Sequence, residues 1–387
     1  MLPILSHIFE IMKIKNLIIF YPSFEKGGVE KIIQNLINYF LKFKLNVYLI
    51  TEKNNNLKSL AFKKNFFLIH PLKKKFSFLP NRYSTSLNCI YPLNRLLNKL
   101  SNKNTLVHSM QSNYLPILIS KFNKFKIAIR NSEDPIDSIK YADNLISATF
   151  IFFLRFVFYN LSDKIITNSK GSGESLKYFM FGKNKNKIKY IYNPYLTKEK
   201  IKFTKKKYKK KNVILSVGRL CKQKNFKDLI IAFANFSKNN KEYILKIVGE
   251  GYQKNYLNKL IKSLNMEKKI FLMGYIKNID KEFKAVKLFV LPSLYEGLGN
   301  VLIDALNFSI PCISTNCKSG PKEILCFGKG GYLVPIKKPD LLEKKMQEAL
   351  SNYSKSMKKV RFGRGKLSRF NSEIQSSKYL KFLNKIL

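Results

Sequence analysis

Short apolar runs alternate with longer segments of helical period along almost the whole of the 387-residue chain. An apolar run without polar interruptions predicts a parallel strand that is covered on both faces, and the intervening segments predict the helices that cover it. Two such series in one chain predict an α/β protein made of two Rossmann-like domains. The first series comprises KNLIIFY, NVYLIT, FFLIH, TLVHSM, KIAIR, KIITNS and IKYIYNP, and the second comprises VILSVG, LKIVG, IFLMG, LFVLPS, PCIST and GYLVP.

A basic segment, YLTKEKIKFTKKKYKKKN, separates the two series and has few residues that could form a core. We therefore predict an N-terminal Rossmann-like domain at residues 1–195, a basic linker at 196–212 and a second Rossmann-like domain at 213–370. Residues 371–387 are expected to form a C-terminal helix that packs back on the first domain.

The chain carries 72 Lys and Arg residues against 24 Asp and Glu residues, which gives a formal net charge of +48. Such a charge favours an anionic partner: a nucleic acid, an anionic membrane surface or a phosphorylated substrate. A codon bias towards lysine would produce the same composition without any binding role, and both explanations stay open. Nucleic-acid binding is disfavoured, because the lysines are spread through both halves and no recognition motif accompanies them.

The five cysteines and three histidines are scattered and form no CxxC pair or other metal-ligand pattern. This predicts reduced thiols in a cytosolic protein and no metal site. The N-terminal segment MLPILSHIFEIMKIKNLIIFYP lacks a basic stretch before its apolar part, so it does not predict a signal peptide. The run from Leu145 to Leu161 is short for a membrane span and carries Arg155 near its middle, which favours a buried or interfacial helix.

Ligands of an open parallel sheet bind where the strands end, against the N-termini of the helices that follow. Gly27 and Gly28 lie between the first strand and an amphipathic helix, where the backbone could approach an anion; a tight turn explains the pair equally well. Arg219 and Lys224 follow the strand VILSVG and precede another helix, a position in which two cations would suit a diphosphate. Surface charge is the alternative interpretation.

The stretch YEGLGNVLIDAL follows the strand LFVLPS and places two acids around a glycine-rich turn. Glu296 lies in the loop, and the helix that begins near Asn300 places Asp304 about one turn in. Asp304 could accept two hydrogen bonds from a vicinal diol such as ribose, or it could serve only to complement the helix dipole. The backbone amides of the turn can face phosphate or sugar oxygens, and they belong to Gly297, Leu298, Gly299 and Asn300.

Three further polar residues follow strands of the first domain. His108 lies in TLVHSM, where its position fits either a structural role or contact with a substrate. Arg130 at the end of KIAIR and Glu133 just beyond it, in the stretch AIRNSEDP, are candidates for the acceptor side of a site.

Taken in order, these motifs resemble those of family 4 glycosyltransferases, which have the GT-B fold of two Rossmann-like domains facing each other across a cleft. The resemblance runs through the whole chain, from the glycine pair and His108 through VGRLCKQKNF, IVGEG, MGYI and PSLYEGLGNVLIDAL to SGPKEIL and GGYLVP. The segment from EGLGN to KEIL is especially similar to bacterial enzymes that build surface polysaccharides, among them N-acetylgalactosaminyltransferases that act on lipid-linked glycans. The family pattern has two glutamates with seven residues between them, and here Asp304 occupies the second place.

The resemblance implies a role for each motif. Arg219 and Lys224 would neutralise the diphosphate of a nucleotide-sugar. Glu296 and the adjacent amides would hold the donor sugar and phosphate, while Asp304 would bind the ribose. Gly27 and Gly28 would contact the phosphate, and His108 would approach the sugar. The backbone near Tyr275 and Ile276 would contact the base. The same cleft would be lined by Gly249, Glu250 and Gly251.

The implied function is that of a retaining hexosyltransferase in bacterial cell-surface glycan synthesis. It would move a hexose or N-acetylhexosamine from a nucleotide-sugar, UDP-linked by preference, to a lipid-linked or polysaccharide acceptor, with no metal or other cofactor. The enzyme is expected in the cytoplasm, peripheral on the inner face of an anionic membrane, through lysines of the first domain and the aromatic segment 150–159. A nucleotide-sugar epimerase, a non-catalytic sugar- or anion-binding relative and a basic nucleic-acid-binding protein are the alternatives.

Overall fold

The structure is a computed structural model that describes residues 12–23, 28–52, 63–71, 81–142, 144–203 and 210–387. The chain divides into two compact units: unit 1 comprises Met1–Tyr195 and Phe370–Leu387, and unit 2 comprises Leu196–Arg369. Each unit is built on one parallel sheet with helices between its strands, so the predicted fold class of two parallel-sheet α/β domains is confirmed.

The sheet of unit 1 has the strand order β3-β2-β1-β4-β5-β6-β7. The chain therefore moves first to one side of β1 and then, through β4, to the other. Its strands are β1 (Asn16–Phe20), β2 (Asn46–Ile50), β3 (Phe66–Ile69), β4 (Thr105–Ser109), β5 (Lys126–Asn131), β6 (Lys164–Thr167) and β7 (Ile188–Tyr190). The helices before the C-terminal segment are α1 (Gly28–Phe40), α2 (Asn81–Asn88), α3 (Ile90–Leu97), α4 (Tyr114–Phe122), α5 (Pro135–Lys140), α6 (Leu145–Leu161) and α7 (Lys170–Leu176).

The two central strands of this sheet explain its sequence pattern. Strands β1 and β4 are neighbours, with Ile18 opposite Val107, and every residue of both strands is buried. A strand covered on both faces has no solvent side, so its sequence shows no alternation of polar and apolar residues.

The sheet of unit 2 has the order β10-β9-β8-β11-β12-β13. Its core packs Phe226, Phe233 and Phe236 of one helix against strand residues such as Leu245 and Val290. The strands are β8 (Val213–Val217), β9 (Ile244–Val248), β10 (Ile270–Leu272), β11 (Leu288–Leu291), β12 (Cys312–Thr315) and β13 (Tyr332–Val334). The helices are α8 (Lys198–Phe203), α9 (Phe226–Asn239), α10 (Lys254–Ser263), α11 (Asp280–Phe283), α12 (Asn300–Asn307), α13 (Pro321–Ile324), α14 (Pro339–Ser351) and α15 (Tyr353–Gly365).

The segment predicted as a basic linker, 196–212, differs from that expectation at its start. Residues 198–203 form α8, and the side chains of Leu196 and Lys200 are buried in unit 2. Lysine can be buried here because carboxylates of unit 2 compensate its charge, as described below. Residues 204–209 of the segment lie outside the described part of the chain.

The chain ends in unit 1. The last helix, α16 (Ser372–Asn384), packs against α1 and buries Tyr379, Leu380 and Leu383. Lys42, just beyond α1, forms an ion pair of 3.1 Å with Glu373.

Helix α6 spans the apolar run Leu145–Leu161, which contains Arg155. The Arg155 guanidinium points inward, where it donates hydrogen bonds to the Pro135 carbonyl (2.6 Å) and the Ser138 hydroxyl (3.1 Å). Within the described ranges, no helix has both the length and the apolar character needed to cross a membrane.

Candidate functional site

The residues predicted to bind a ligand in unit 2 lie at the carboxyl ends of its central strands. In the order β10-β9-β8-β11-β12, neighbouring parallel strands end along the same edge, and the loops that follow them meet there. The sheet therefore brings together motifs that are far apart in sequence, namely residues 218–224, 249–252, 274–276, 293–299 and 316–320.

Two glycines allow the loops after β8 and β9 to lie in contact. A Cβ atom at Gly249 would come within 1.9 Å of the Gly218 carbonyl oxygen, and one at Gly251 within 2.3 Å of the Leu220 carbonyl oxygen. No side chain fits at such distances. Gly249 and Gly251 are thus required by backbone packing, which fixes the loop that carries Arg219.

The adjoining loop after β10 continues this edge of the sheet. The Gly249 amide donates a hydrogen bond to the Gly274 carbonyl (2.8 Å), which ties the β9 and β10 loops together. Glu250 is exposed, the Tyr275 side chain is 38% exposed and Ile276 is half-buried. The positions predicted to read a base therefore lie next to the glycines and at the surface of unit 2.

A second close approach joins the loops after β11 and β12. Gly320 has φ of 79°, and a Cβ atom there would lie 2.6 Å from both the Gly297 carbonyl oxygen and Leu298 Cα. The Ser319 hydroxyl donates to the Glu296 carbonyl (2.7 Å). The motif SGPKEIL therefore positions the glycine-rich turn that precedes α12.

The N-terminus of α12 is suited to an anion. The helix begins at Asn300 directly after Gly299, whose φ of 86° lies in the left-handed region that glycine favours. Glycine has no side chain with which to cap the helix, and the first turn contains no acidic residue. The amides and the positive end of the helix dipole therefore favour a phosphate oxygen at this point.

A buried ion pair connects the β8 and β11 loops. The Lys224 ammonium contacts the Glu296 carboxylate, and the two side chains are 14% and 8% exposed. The same carboxylate oxygen accepts a hydrogen bond from the Ser293 hydroxyl (2.7 Å). The methylene carbons of Lys224 pack on Gly218. A Cβ atom at Gly218 would lie 3.2 Å from two of these carbons. Two residues predicted to contact phosphate and sugar thus contact each other.

Sequence reasoning missed Gln223, which supports both functional loops. Its side-chain oxygen accepts a hydrogen bond from Arg219 (3.3 Å), and its side-chain nitrogen donates to the Tyr295 carbonyl (3.0 Å). The Leu294 amide in turn donates to the Gln223 carbonyl (2.8 Å). The sequence signal was its position between the two cations of the motif VGRLCKQKNF, but nothing in the sequence linked it to a loop 72 residues away.

Asp304 has a partner that the sequence did not predict. Asp304 is 2% exposed, and its carboxylate pairs with the Lys200 ammonium of α8, which also lies 3.3 Å from Asp280. The Lys200 carbonyl accepts a hydrogen bond from the Asn307 side chain (3.5 Å). Because a buried lysine needs a carboxylate partner, this placement gives Asp304 the structural role of fastening α8 to α12. Its predicted contact with ribose stays a prediction.

The residues of unit 1 that were predicted to contact a ligand differ in their burial and in their contacts. Arg130 is buried and donates to the Ser132 hydroxyl (2.5 Å) and the Asn193 side-chain oxygen (2.7 Å). Glu133 is partly exposed and forms an ion pair of 3.0 Å with Arg155. Both side chains therefore take part in contacts within unit 1. Gly28 is exposed at the start of α1, and Gly27 lies outside the described residues.

His108 is fully buried in unit 1. Its Nδ1 lies 3.2 Å from the Ala128 carbonyl, which assigns the ring proton to that nitrogen. The Tyr379 ring of α16 packs edge-on, with 6.1 Å between ring centroids. Burial lowers the pKa of His108 to about 4, so the ring is neutral at physiological pH. Of the two roles that the sequence left open, this placement favours the structural one.

Comparison with known proteins identifies the family. The sequence model of the family described as "Glycosyl transferases group 1" matches residues 197–365. The chain is 30% identical over 376 residues to the N-acetylgalactosamine-N,N'-diacetylbacillosaminyl-diphospho-undecaprenol 4-alpha-N-acetylgalactosaminyltransferase of Campylobacter jejuni, a match that covers 91% of this chain and 96% of that enzyme. The chain therefore belongs to the group 1 glycosyltransferases.

Two further comparisons agree with this family. An uncharacterized glycosyltransferase of Methanocaldococcus jannaschii is 36% identical over 216 residues, which cover 54% of this chain and about half (52%) of that protein. Among solved structures, Anabaena HepE in complex with UDP and glucose has a TM-score of 0.75 at 15% identity, covering 96% of this chain and 100% of that one. The structural likeness shows the fold, which is GT-B.

The first prediction concerns the two cations. Arg219→Ala and Lys224→Ala should each weaken UDP binding by roughly 1.5–3 kcal/mol, because a charge-assisted contact with the diphosphate is lost. Glu296→Gln should bind UDP at least as tightly as the wild type. In this variant Lys224 is no longer held by a carboxylate, so it can turn to the diphosphate without breaking an ion pair. Titration calorimetry measures these affinities, with Lys259→Ala in α10 as an exposed control. Unchanged affinity in both alanine variants would remove the cations from the phosphate site.

The second prediction separates the two roles of Asp304. Asp304→Asn should lower the free energy of unfolding by about 2 kcal/mol, somewhat less than is typical of a broken buried pair, because Asp280 still faces Lys200. Adding Lys200→Met should restore part of this loss in urea titrations. If Asp304→Asn instead leaves stability unchanged and weakens only donor binding, while Asp304→Glu keeps it, the ribose role is the correct one.

The third prediction follows from the pKa of His108. The unfolded chain, with a histidine pKa of about 6.5, binds more protons than the native state between this value and the native pKa of about 4. The free energy of unfolding should therefore fall as the pH drops through this window, by up to about 3 kcal/mol. Urea titrations of the wild type and His108→Gln compare the two slopes. The same pH slope in both proteins would show that His108 does not cause the acid sensitivity.

Proposed function

We propose that this glycosyltransferase is a retaining, metal-independent hexosyltransferase that moves a hexose or N-acetylhexosamine from a UDP-sugar to a lipid-linked or polysaccharide acceptor. The observation that carries the proposal is the cluster at the carboxyl edge of unit 2: the Lys224–Glu296 pair beside the N-terminus of α12. Such a cluster offers a cation and helix amides to a diphosphate and a carboxylate to sugar hydroxyls.

Each group in the cluster has a proposed task. Lys224, Arg219 and the first-turn amides of α12 stabilise the diphosphate as its negative charge grows during departure. Glu296 then accepts hydrogen bonds from hydroxyls of the donor sugar and holds the sugar in place. Gln223 orients Arg219 towards the same point. Positioning and charge stabilisation are therefore the main contributions of the protein.

The proposed reaction occurs on one face of the sugar. The acceptor hydroxyl oxygen forms a bond with the anomeric carbon while the bond from that carbon to the phosphate oxygen breaks, and the departing phosphate takes the hydroxyl proton. An α-linked donor then gives an α-linked product without a protein nucleophile. The name of the Campylobacter relative, which specifies a 4-alpha transferase, supports this stereochemistry.

The acceptor is proposed from the relatives. The Campylobacter enzyme acts on a diphospho-undecaprenol glycan, by its name, and a relative in Salmonella typhimurium is a lipopolysaccharide 1,6-galactosyltransferase. These names support a role in surface-glycan synthesis and a place on the cytoplasmic face of the membrane. The Anabaena structure contains UDP, which supports UDP as the carrier of the donor sugar.

Metal independence is proposed because the cations of the site are protein side chains. Arg219 and Lys224 supply the positive charge that a divalent ion would otherwise bring to the diphosphate. In the described part of the chain, no group of three or more His, Cys, Asp or Glu residues could hold a metal ion.

A donor screen tests this function. UDP-, GDP- and ADP-sugars are titrated by calorimetry, and the binding donor is then supplied with an undecaprenyl-diphosphate glycan, with and without EDTA. We expect a UDP-sugar to bind, transfer to persist in EDTA and the product linkage to be α by NMR. Glu296→Gln, which should still bind UDP, serves as the inactive control. Donor binding without transfer would favour a non-catalytic relative, epimerised donor would favour an epimerase, and loss of transfer in EDTA would refute metal independence.

A further inference from the structure

Helix α6 of unit 1 turns its charged residue inward and exposes many of its large apolar residues. Its buried residues are Arg155, Tyr159 and Asn160. A surface helix of a globular domain usually has the opposite arrangement, with its apolar side on the core. The large apolar side chains that α6 exposes are Leu145 (82%), Ile146 (83%), Phe150 (55%), Phe152 (46%), Phe153 (59%) and Leu161 (46%). An exposed apolar face of this kind marks a binding surface.

The one charged residue of α6 does not interrupt this face. The sequence of the helix, LISATFIFFLRFVFYNL, contains no charged residue besides Arg155. The Arg155 side chain is 3% exposed and pairs with Glu133 on the inner side of the helix. The arginine that argues against a membrane span is therefore absent from the outward surface.

A neighbouring segment extends the face and adds positive charge. The rings of Phe156 and Phe181 pack edge to face, with 4.4 Å between their centroids, and Phe181 is 50% exposed. Tyr178, just before it, is 77% exposed. The turn that follows, Gly182–Lys187, exposes Lys183 and Lys185. Basic side chains thus lie directly beside the aromatic ones.

The surroundings of the face have little negative charge. Residues 144–190 include eight Lys or Arg residues and two acidic ones, Asp163 and Glu174. Both acids are already paired: Asp163 with Lys121 at 2.6 Å and Glu174 with Lys177 at 2.8 Å. The lysines of the Gly182–Lys187 turn therefore act on any partner as a net positive rim.

We propose that the exposed side of α6, together with Tyr178, Phe181, Lys183 and Lys185, is a docking face for an anionic lipid bilayer. This inference rests on the proposed function, because a lipid-linked acceptor has to be reached at a membrane. Aromatic rings favour the boundary between lipid tails and water, and lysine stems can lie along apolar surface while their charges reach phosphate groups. An apolar helix face with a basic edge is the usual pattern of a helix that lies in this boundary.

The charge distribution favours a bilayer over a second copy of the chain. A two-fold dimer would bury the same face on both partners, and this would bring their net positive rims together. An anionic bilayer instead offers apolar depth under the rings and negative headgroups around the lysines.

Sedimentation with vesicles tests the docking face. The full chain is mixed with phosphatidylglycerol–phosphatidylcholine vesicles, with pure phosphatidylcholine as the neutral reference. Lys183→Gln/Lys185→Gln should weaken binding to the anionic vesicles roughly thirtyfold, and Phe150→Ser/Phe153→Ser should weaken it at least about tenfold. Matched controls in unit 2, Phe327→Ser and Lys259→Gln/Lys262→Gln, alter residues of similar exposure and should bind like the wild type.

Several outcomes would overturn the proposal. These are a wild type that stays in the supernatant at low salt, docking-face variants that bind like the wild type, and controls that lose binding equally. A dimer that dissociates in the Phe150→Ser/Phe153→Ser variant, with vesicle binding unchanged, would also overturn it by assigning the face to self-association. UDP affinity of the same variants is measured in parallel: its retention shows that the donor site is intact, so failure of the docking face and failure of the proposed function remain distinguishable.

Discussion

Close backbone contact at the carboxyl edge of the unit 2 sheet is the constraint on which the candidate site depends. Gly249 and Gly251 let one loop lie against the backbone of residues 218–220, and Gly320 lets another lie against Gly297 and Leu298. A methyl group at any of these glycines would separate the loops. Only with the loops in contact can Lys224 from one strand end reach Glu296 from the next.

The fold could be read from the sequence because its central strands are buried on both faces. Each of the thirteen apolar runs overlaps one of the strands β1 to β13, since continuous apolar character is a strong local signal for a buried parallel strand. The linker was less predictable. Lys200 lies in a run of lysines, and its burial depends on Asp304, which is more than a hundred residues away. Composition cannot reveal a partner at that distance.

The candidate site shows the same limit. The motifs located Arg219, Lys224 and Glu296 because each follows a strand end, and parallel strands share one edge. The motifs did not reveal that Lys224 pairs with Glu296 or that Gln223 bridges two loops, because such contacts are set by the register of the sheet. For His108 the sequence left two roles open, since a residue near a strand end can also point into the core, and its burial favours the structural one.

The basic residues that give the chain its large positive charge have different roles. Lys200 is buried and structural, Lys224 lies in the candidate site, and Lys183 lies on an exposed turn. Codon bias can explain many of the remaining lysines, because a solvated lysine is tolerated almost anywhere on a surface. The position of each residue in the structure, rather than the total charge, decides its role.

A crystal structure of the protein with UDP would test the central claim, that the carboxyl edge of unit 2 binds a nucleoside diphosphate. We expect the diphosphate within hydrogen-bonding distance of the Lys224 ammonium and the Asn300 amide, with Lys224 turned from Glu296 towards the phosphate oxygens. UDP bound away from the N-terminus of α12, with the Lys224–Glu296 pair unchanged, would contradict it.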